Sequence, residues 1–188
     1  MATRARLFVV SGPSGSGKGT LLAKVRAARP DLGLTVSATT RSPRKGEVDG
    51  VDYHFLSDDC FDRMIEGNEF LEWANVHGHR YGTPLSEVTK CIDAGRSVIL
   101  EIDVQGALNV RKVYPDAVLV FIEPPSLEVL EKRLRGRGTE DESSIELRLA
   151  NAVGELELAD QYDVRIVNDD LEAAASELAD ALRSHEMN

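Results

Sequence analysis

Long hydrophobic runs are scarce in this chain. The longest uncharged apolar stretch is Ala117 to Ile122, far short of the ~20 residues a membrane helix needs. The N-terminus likewise lacks the extended apolar segment of a secretory signal. Both absences point to a cytoplasmic protein without a membrane role. Cysteine is equally sparse: Cys60 and Cys91 are the two present. Neither has metal or redox spacing, so a disulfide framework is excluded and both are read as reduced, packed thiols. Positive charge is in deficit, with 22 Lys and Arg against 32 Asp and Glu, a net charge of −10. That disfavours a broad nucleic-acid surface and makes any local cluster of arginines conspicuous. Internal repeats and low-complexity tracts are also missing.

What remains is the composition of a soluble globular enzyme: 188 residues, 42% hydrophobic and 29% charged, enough for one core with lobes. Buried-strand patterns at Leu7 to Val10, Ser97 to Asp103, Ala117 to Ile122 and Val164 to Val167 alternate with helical stripes. The stripes are Leu21, Leu22 and Val25; Leu127, Leu130 and Leu134; Ile145, Leu149, Val153 and Leu156; and Leu171, Ala174, Leu178 and Leu182. This is an α/β pattern with a parallel-sheet core flanked by helices. Between the first strand and first helix lies GPSGSGKGT, Gly12 to Thr20. Gly12, Gly15 and Gly17 can turn backbone N–H groups onto an anion, and Lys18 and the helix dipole add positive charge. The loop departs from its pattern at Gly19, where a hydroxyl that touches Mg²⁺ is expected. Thr20 points about 100° away on the helix and cannot replace it.

Two stretches interrupt the alternation. Residues from Thr35 to about Pro84 read as short strands and turns and carry Arg41 and Arg44. Glu131 to Leu149 holds a second arginine cluster in a glycine-flanked loop between two helices. An insert on either side of a nucleotide core suggests two closing lobes. Phe70 to Ala74 is an apolar strand interrupted by Glu72, a costly place for an unpaired carboxylate. Glu101 and Asp103 share one face at the carboxyl end of their strand, where open α/β sheets bind ligands. His77 and His79 allow a metal reading, but no third ligand is near and a solvated loop is the alternative. His54 and His185 fit no pattern.

In order, GPSGSGKGT, SATTRSPRKGEVDGVDYHF, EFLEWANVHGHRYGTP, LEIDVQGA, RLRGRGTEDESSIELRL and IVNDD resemble the guanylate kinases along nearly the whole chain. The resemblance implies a P-loop core (1–34, 85–125 and 161–188), a mostly β GMP-binding insert (35–84) and a small helical lid region (126–160). It implies transfer of the γ-phosphoryl group of ATP to GMP or dGMP, with Mg²⁺, in purine nucleotide metabolism. ATP would lie on Gly12, Pro13, Ser14, Gly15, Ser16, Gly17, Lys18, Gly19 and Thr20, with Asn168 at the adenine. Arg133, Arg137 and Arg148 would neutralise the transferring charge from the lid, while Arg135 in the same run can simply be solvated. Arg41, Arg44, Tyr53 and Tyr81 would hold the GMP phosphate, although each tyrosine can also be read as a half-buried packing residue. Glu72, with Ser37 and Thr83, would read guanine, since a carboxylate faces its N1–H and N2–H₂ but meets an acceptor on adenine; an outward strand residue is the plainer reading of Glu72. Asp103 resembles the acid near Mg²⁺ and the guanine, reaching the metal through water. Glu101 stands where many relatives have aspartate, and metal, water and guanine all remain open as its neighbour. Two rivals follow: a kinase for another nucleoside monophosphate, suggested by GKGT, and a catalytically silent phosphopeptide-binding domain. The second is disfavoured by Lys18, the lid arginines and the lack of attached modules. A homo-oligomer is left open.

Overall fold

A computed structural model describes residues 4–76, 78–136 and 142–187. Five strands form the central sheet: β1 (Leu7–Ser11), β2 (Gly33–Leu34), β7 (Val98–Glu101), β8 (Val118–Glu123) and β9 (Val164–Val167), in the order β2-β7-β1-β8-β9. Every pairing in it is parallel. Alternate residues of β1 explain why its sequence is apolar throughout. Leu7 and Val9 enter one core with Val88 and Cys91 of α3 (Leu85–Asp93) and Val104, Ala107 and Val110 of α4 (Val104–Val113). Phe8 and Val10 enter another with Leu21, Leu22 and Val25 of α1 (Lys18–Ala28) and Ala174, Leu178 and Leu182 of α7 (Leu171–Glu186). Helices thus cover both faces, as a parallel sheet requires.

The insert carries a second sheet, ordered β4-β3-β6-β5, from β3 (Ala38–Thr39), β4 (His54–Phe55), β5 (Phe70–Val76) and β6 (His79–Pro84). It also contains a helix, α2 (Asp58–Glu66), where the sequence reads as strands and turns. Ser57 caps α2 by accepting from the Cys60 N–H at 3.2 Å, and Asp58 and Asp59 complement the dipole of its first turn. Phe61 anchors α2 by stacking on Phe70 of β5, ring centroids 4.4 Å apart.

The lid region is a pair of helices, α5 (Leu127–Arg135) and α6 (Glu142–Leu156). Leu130, Leu134 and Ala152 form its small core, with Leu149 packed against it. Two positions of the expected stripes turn outward: Leu127 is 40% and Val153 43% exposed. The contact face of α6 runs through Ile145, Leu149 and Ala152, one residue short of Val153.

Candidate functional site

The P-loop is built by steric demand. Gly12, Gly15 and Gly17 all have positive φ, and a Cβ on Gly12 would lie 2.1 Å from the Ile122 carbonyl oxygen. A Cβ on Gly15 would lie 2.9 Å from Leu130 Cδ1 and 3.0 Å from Leu134 Cδ2, so the loop packs directly on the lid core. Around it is a cavity of about 310 Å³ lined by Ser14, Gly15, Gly17, Lys18, Gly19, Thr20 and Glu101. Lys18 Nζ donates to the carbonyls of Gly12 and Pro13, curled over the loop. No heavy atom lies within 4 Å of a Cβ built on Gly19, so the place of the missing hydroxyl is open space. Pro13 is buried and Thr20 exposed.

Lid residues reach this loop. Arg148 Nη1 donates to Ser14 Oγ at 3.1 Å. Arg133 donates from Nη1 to the Ser16 carbonyl (3.3 Å) and from Nη2 to the Asn168 carbonyl (2.9 Å). Asn168, expected at the adenine, is buried with its Nδ2 donating to the Ser16 carbonyl at 2.8 Å. Its side chain is occupied by the P-loop. Arg137 lies outside the described residues, as does His77. His79 is exposed at the start of β6.

Opposite the loop, the insert gathers its own group of side chains. Arg41 Nη1 and Nη2 grip Glu47 through both carboxylate oxygens, at 3.0 and 2.9 Å, and Nη1 also donates to the Ser42 carbonyl. Glu47 accepts in addition from the Arg44 N–H at 2.6 Å. These bonds occupy the end of the guanidinium, and Tyr81 interacts with the same side chain. Arg41 Cζ lies 5.5 Å from the Tyr53 ring centroid, and Tyr53 meets Tyr81 edge to face at 5.9 Å. The guanidinium is thereby gathered with both tyrosines, while the Arg44 residue is exposed. Glu47 was not legible as part of this group: its contact with Arg41 comes from the turn that the Glu47 N–H closes onto the Arg44 carbonyl at 3.1 Å.

Glu72 sits half-buried on β5, and buried Thr83 on β6 donates to its Oε1 at 2.8 Å. Burial pushes the Glu72 carboxyl above its usual range and nearby Asp103 adds to the rise, while the Thr83 hydrogen bonds oppose it. Glu72 Oε2 and Asp103 Oδ2 each lie 3.6 Å from where a Cβ on Gly106 would stand, so the two carboxylates converge on a buried helical glycine. Asp103 caps α4, its Oδ1 accepting from the Gly106 N–H at 2.9 Å. Ser37 is half-buried beside the same sheet, its carbonyl accepting from the His54 N–H.

Glu101 was expected among the guanosine-site residues, with its neighbour open. It forms part of the wall of the P-loop cavity, at the exposed end of β7. Among the described residues no group of three His, Cys, Asp or Glu side chains could hold a metal ion. Glu101 and Gly19 line the same cavity, and a carboxylate oxygen beside open space is a donor that suits Mg²⁺, an ion that commonly keeps several of its waters.

A family model described as guanylate kinase matches residues 4–185. The guanylate kinase of Rubrobacter xylanophilus is 51% identical over 180 residues, covering 96% of this chain and 94% of that protein. The guanylate kinase of Gloeobacter violaceus is 56% identical over 169 residues, covering 90% and 82%. Among solved structures, the crystal structure of guanylate kinase from Anaplasma phagocytophilum aligns with a TM-score of 0.75 at 32% identity, covering 100% of this chain and 89% of that one. The chain belongs to the guanylate kinase family. Guanylate kinases are ATP:GMP phosphotransferases. The P-loop follows β1 and Asp103 follows β7, both at the carboxyl end of the parallel sheet.

Proposed function

We propose that this chain transfers the γ-phosphoryl group of ATP to GMP or dGMP, giving ADP and GDP, in the purine nucleotide metabolism of the cytoplasm. One observation supports the reading: a P-loop anion cradle and, on the insert, a guanidinium gathered with two tyrosines and a desolvated carboxylate that converges with Asp103. Among the described residues, no helix is long and apolar enough to cross a membrane.

Phosphoryl transfer passes through a loose transition state, so the protein's work is positioning and charge neutralisation. At neutral pH the acceptor phosphate is mostly ionised, its second pKa being about 6, and no general base is needed. Two anions must be held near 3 Å against their repulsion. On the acceptor side, Arg41 would hold the GMP phosphate together with Arg44 and the Tyr53 and Tyr81 hydroxyls. Glu72 would accept from guanine N1–H and N2–H₂ while Thr83 fixes its rotamer and Ser37 stands near O6. On the donor side, Lys18 would exchange the Gly12 and Pro13 carbonyls for phosphate oxygens. Arg133, Arg137 and Arg148 would bring charge from the lid and exclude water when it closes. Mg²⁺ bound with ATP would neutralise part of the triphosphate charge, with Asp103 holding it through water and Glu101 beside it.

The test is ADP production from ATP and Mg²⁺ with GMP, AMP, UMP and CMP offered separately. Turnover with GMP is expected. Preference for AMP would overturn the Glu72 assignment, and silence with every acceptor, alongside retained binding of a phosphopeptide, would replace the enzyme with a binding domain.

A further inference from the structure

We infer that Asn168 is a positioning residue for phosphate binding, acting by locking the Ser16–Gly17 peptide rather than by touching the base of ATP. The inference rests on the proposed placement of the ATP phosphates on the P-loop.

Asn168 is anchored at the end of the sheet, its backbone N–H donating to the Glu123 carbonyl at 2.8 Å. From there its Nδ2 donates to the Ser16 carbonyl at 2.8 Å. Arg133 Nη1 approaches the same oxygen at 3.3 Å, and Arg133 Nη2 donates to the Asn168 carbonyl at 2.9 Å. The Ser16 oxygen is thus held by two donors from two elements remote in sequence. Every peptide bond described is trans. In a planar trans peptide the C=O of one residue and the N–H of the next point in opposite directions. Fixing the Ser16 carbonyl toward Asn168 therefore aims the Gly17 N–H the other way, toward the cavity that Gly17 lines.

The fit on the Asn168 side is close. A Cβ on Gly17 would lie 2.4 Å from Asn168 Nδ2, and Gly17 has φ +90°. Ser16 is itself fully buried, so main chain makes the contact with the loop. Without the Asn168 donor, a loop of glycines has little steric reason to keep this peptide in one orientation, because Gly populates either sign of φ readily. An N–H that has to reorient before it meets phosphate weakens binding. A residue just after the last strand and one from the lid thus converge on a loop near the N-terminus.

The experiment uses tripolyphosphate, which has the anion of ATP and no base, as a competitive inhibitor of the full chain. In Asn168→Ala and in the near-isosteric Asn168→Asp, which presents an acceptor to the Ser16 carbonyl, the Ki for tripolyphosphate and the KM for ATP should rise together. The expected rise is about tenfold, the worth of one buried hydrogen bond, with the KM for GMP unchanged. A raised KM for ATP with an unchanged tripolyphosphate Ki would overturn the inference and return Asn168 to the adenine. Unchanged values of both would also overturn it. Tripolyphosphate that fails to compete in the unaltered protein would instead refute the underlying placement of ATP. Should either variant unfold, ¹⁵N NMR of the unaltered protein decides: tripolyphosphate should move the Gly17 amide proton downfield, and an unmoved Gly17 signal would overturn the inference.

Discussion

A carboxylate in the middle of an apolar strand has to be maintained against its own desolvation. The Glu72 pKa is raised mainly by burial. A carboxyl whose folded-state pKa exceeds its unfolded value favours the neutral form. The empty pocket therefore gains stability as pH falls through the folded pKa toward the unfolded one, and carries the penalty above it. Glu72→Gln should consequently raise the melting temperature of the ligand-free protein at pH 7.5, measured by calorimetry, because Gln retains an acceptor for Thr83 without the charge. The same change should cut kcat/KM for GMP by roughly 10²-fold, since an amide N–H₂ would face the donors of guanine. Acidification should narrow the gap between the two proteins, as Glu72 takes up a proton and loses its acceptor character. A gap that stays constant as pH is lowered from 7.5 toward the ordinary glutamate range would separate guanine reading from the Glu72 charge. Glu47 has a different role at the same scale. It holds Arg41 beside Tyr53 and Tyr81, so Glu47→Ala should raise the KM for GMP severalfold while leaving binding of guanosine, which lacks a phosphate, nearly unchanged by titration calorimetry.

Among the elements, α4 shows how one side chain can serve both architecture and site. Asp103 Oδ1 caps this helix, and its Oδ2 approaches the same glycine position as Glu72. Asp103→Asn preserves a capping acceptor and should leave the chemical-denaturation midpoint nearly unchanged while reducing turnover. Asp103→Ala should lose both turnover and about 1 kcal/mol of stability. Equal turnover in wild type and Asp103→Asn would remove the charge from the mechanism. The central strands were legible because helices cover both of their faces, leaving continuous apolar runs such as Leu7 to Val10. The helix α2 was not. Its sequence DDCFDRMIE gives it one fully buried side chain, Phe61, and its strongest signal is the Ser57 cap and the two aspartates after it. The outward turn of Val153 depends on how α6 meets α5, which periodicity alone leaves open by one residue. Glu72, Thr83 and the P-loop lysine were legible as types because each carries chemistry that a bland packing role leaves unexplained. The contact of Asn168 with the P-loop was not, since its hydrogen-bond partner Ser16 is 152 positions away and nothing local marks the pairing.

For the whole molecule, the net charge of −10 opposes anionic nucleotides at long range, so the cations at the site work locally. Raising ionic strength screens both effects, with a Debye length of about 8 Å at physiological salt. The single tryptophan, Trp73, lies on β5 next to Glu72 and is 42% exposed. GMP should shift its emission, read in a fluorescence titration, and an ATP analogue alone should shift it less. Identical responses to both ligands would argue against separate movements of insert and lid. One feature of the second sheet reaches further: β3 and β4 contribute two residues each, whereas β1 contributes five inside a covered sheet. So short a ladder leaves few backbone bonds to break together, and local opening there needs much less free energy than opening of the core. The amide protons of His54 and Leu56, which donate to the Ser37 and Thr39 carbonyls across this ladder, should therefore exchange with deuterium well before those of Val9 and Val10, and saturating GMP should slow the former pair more than the latter.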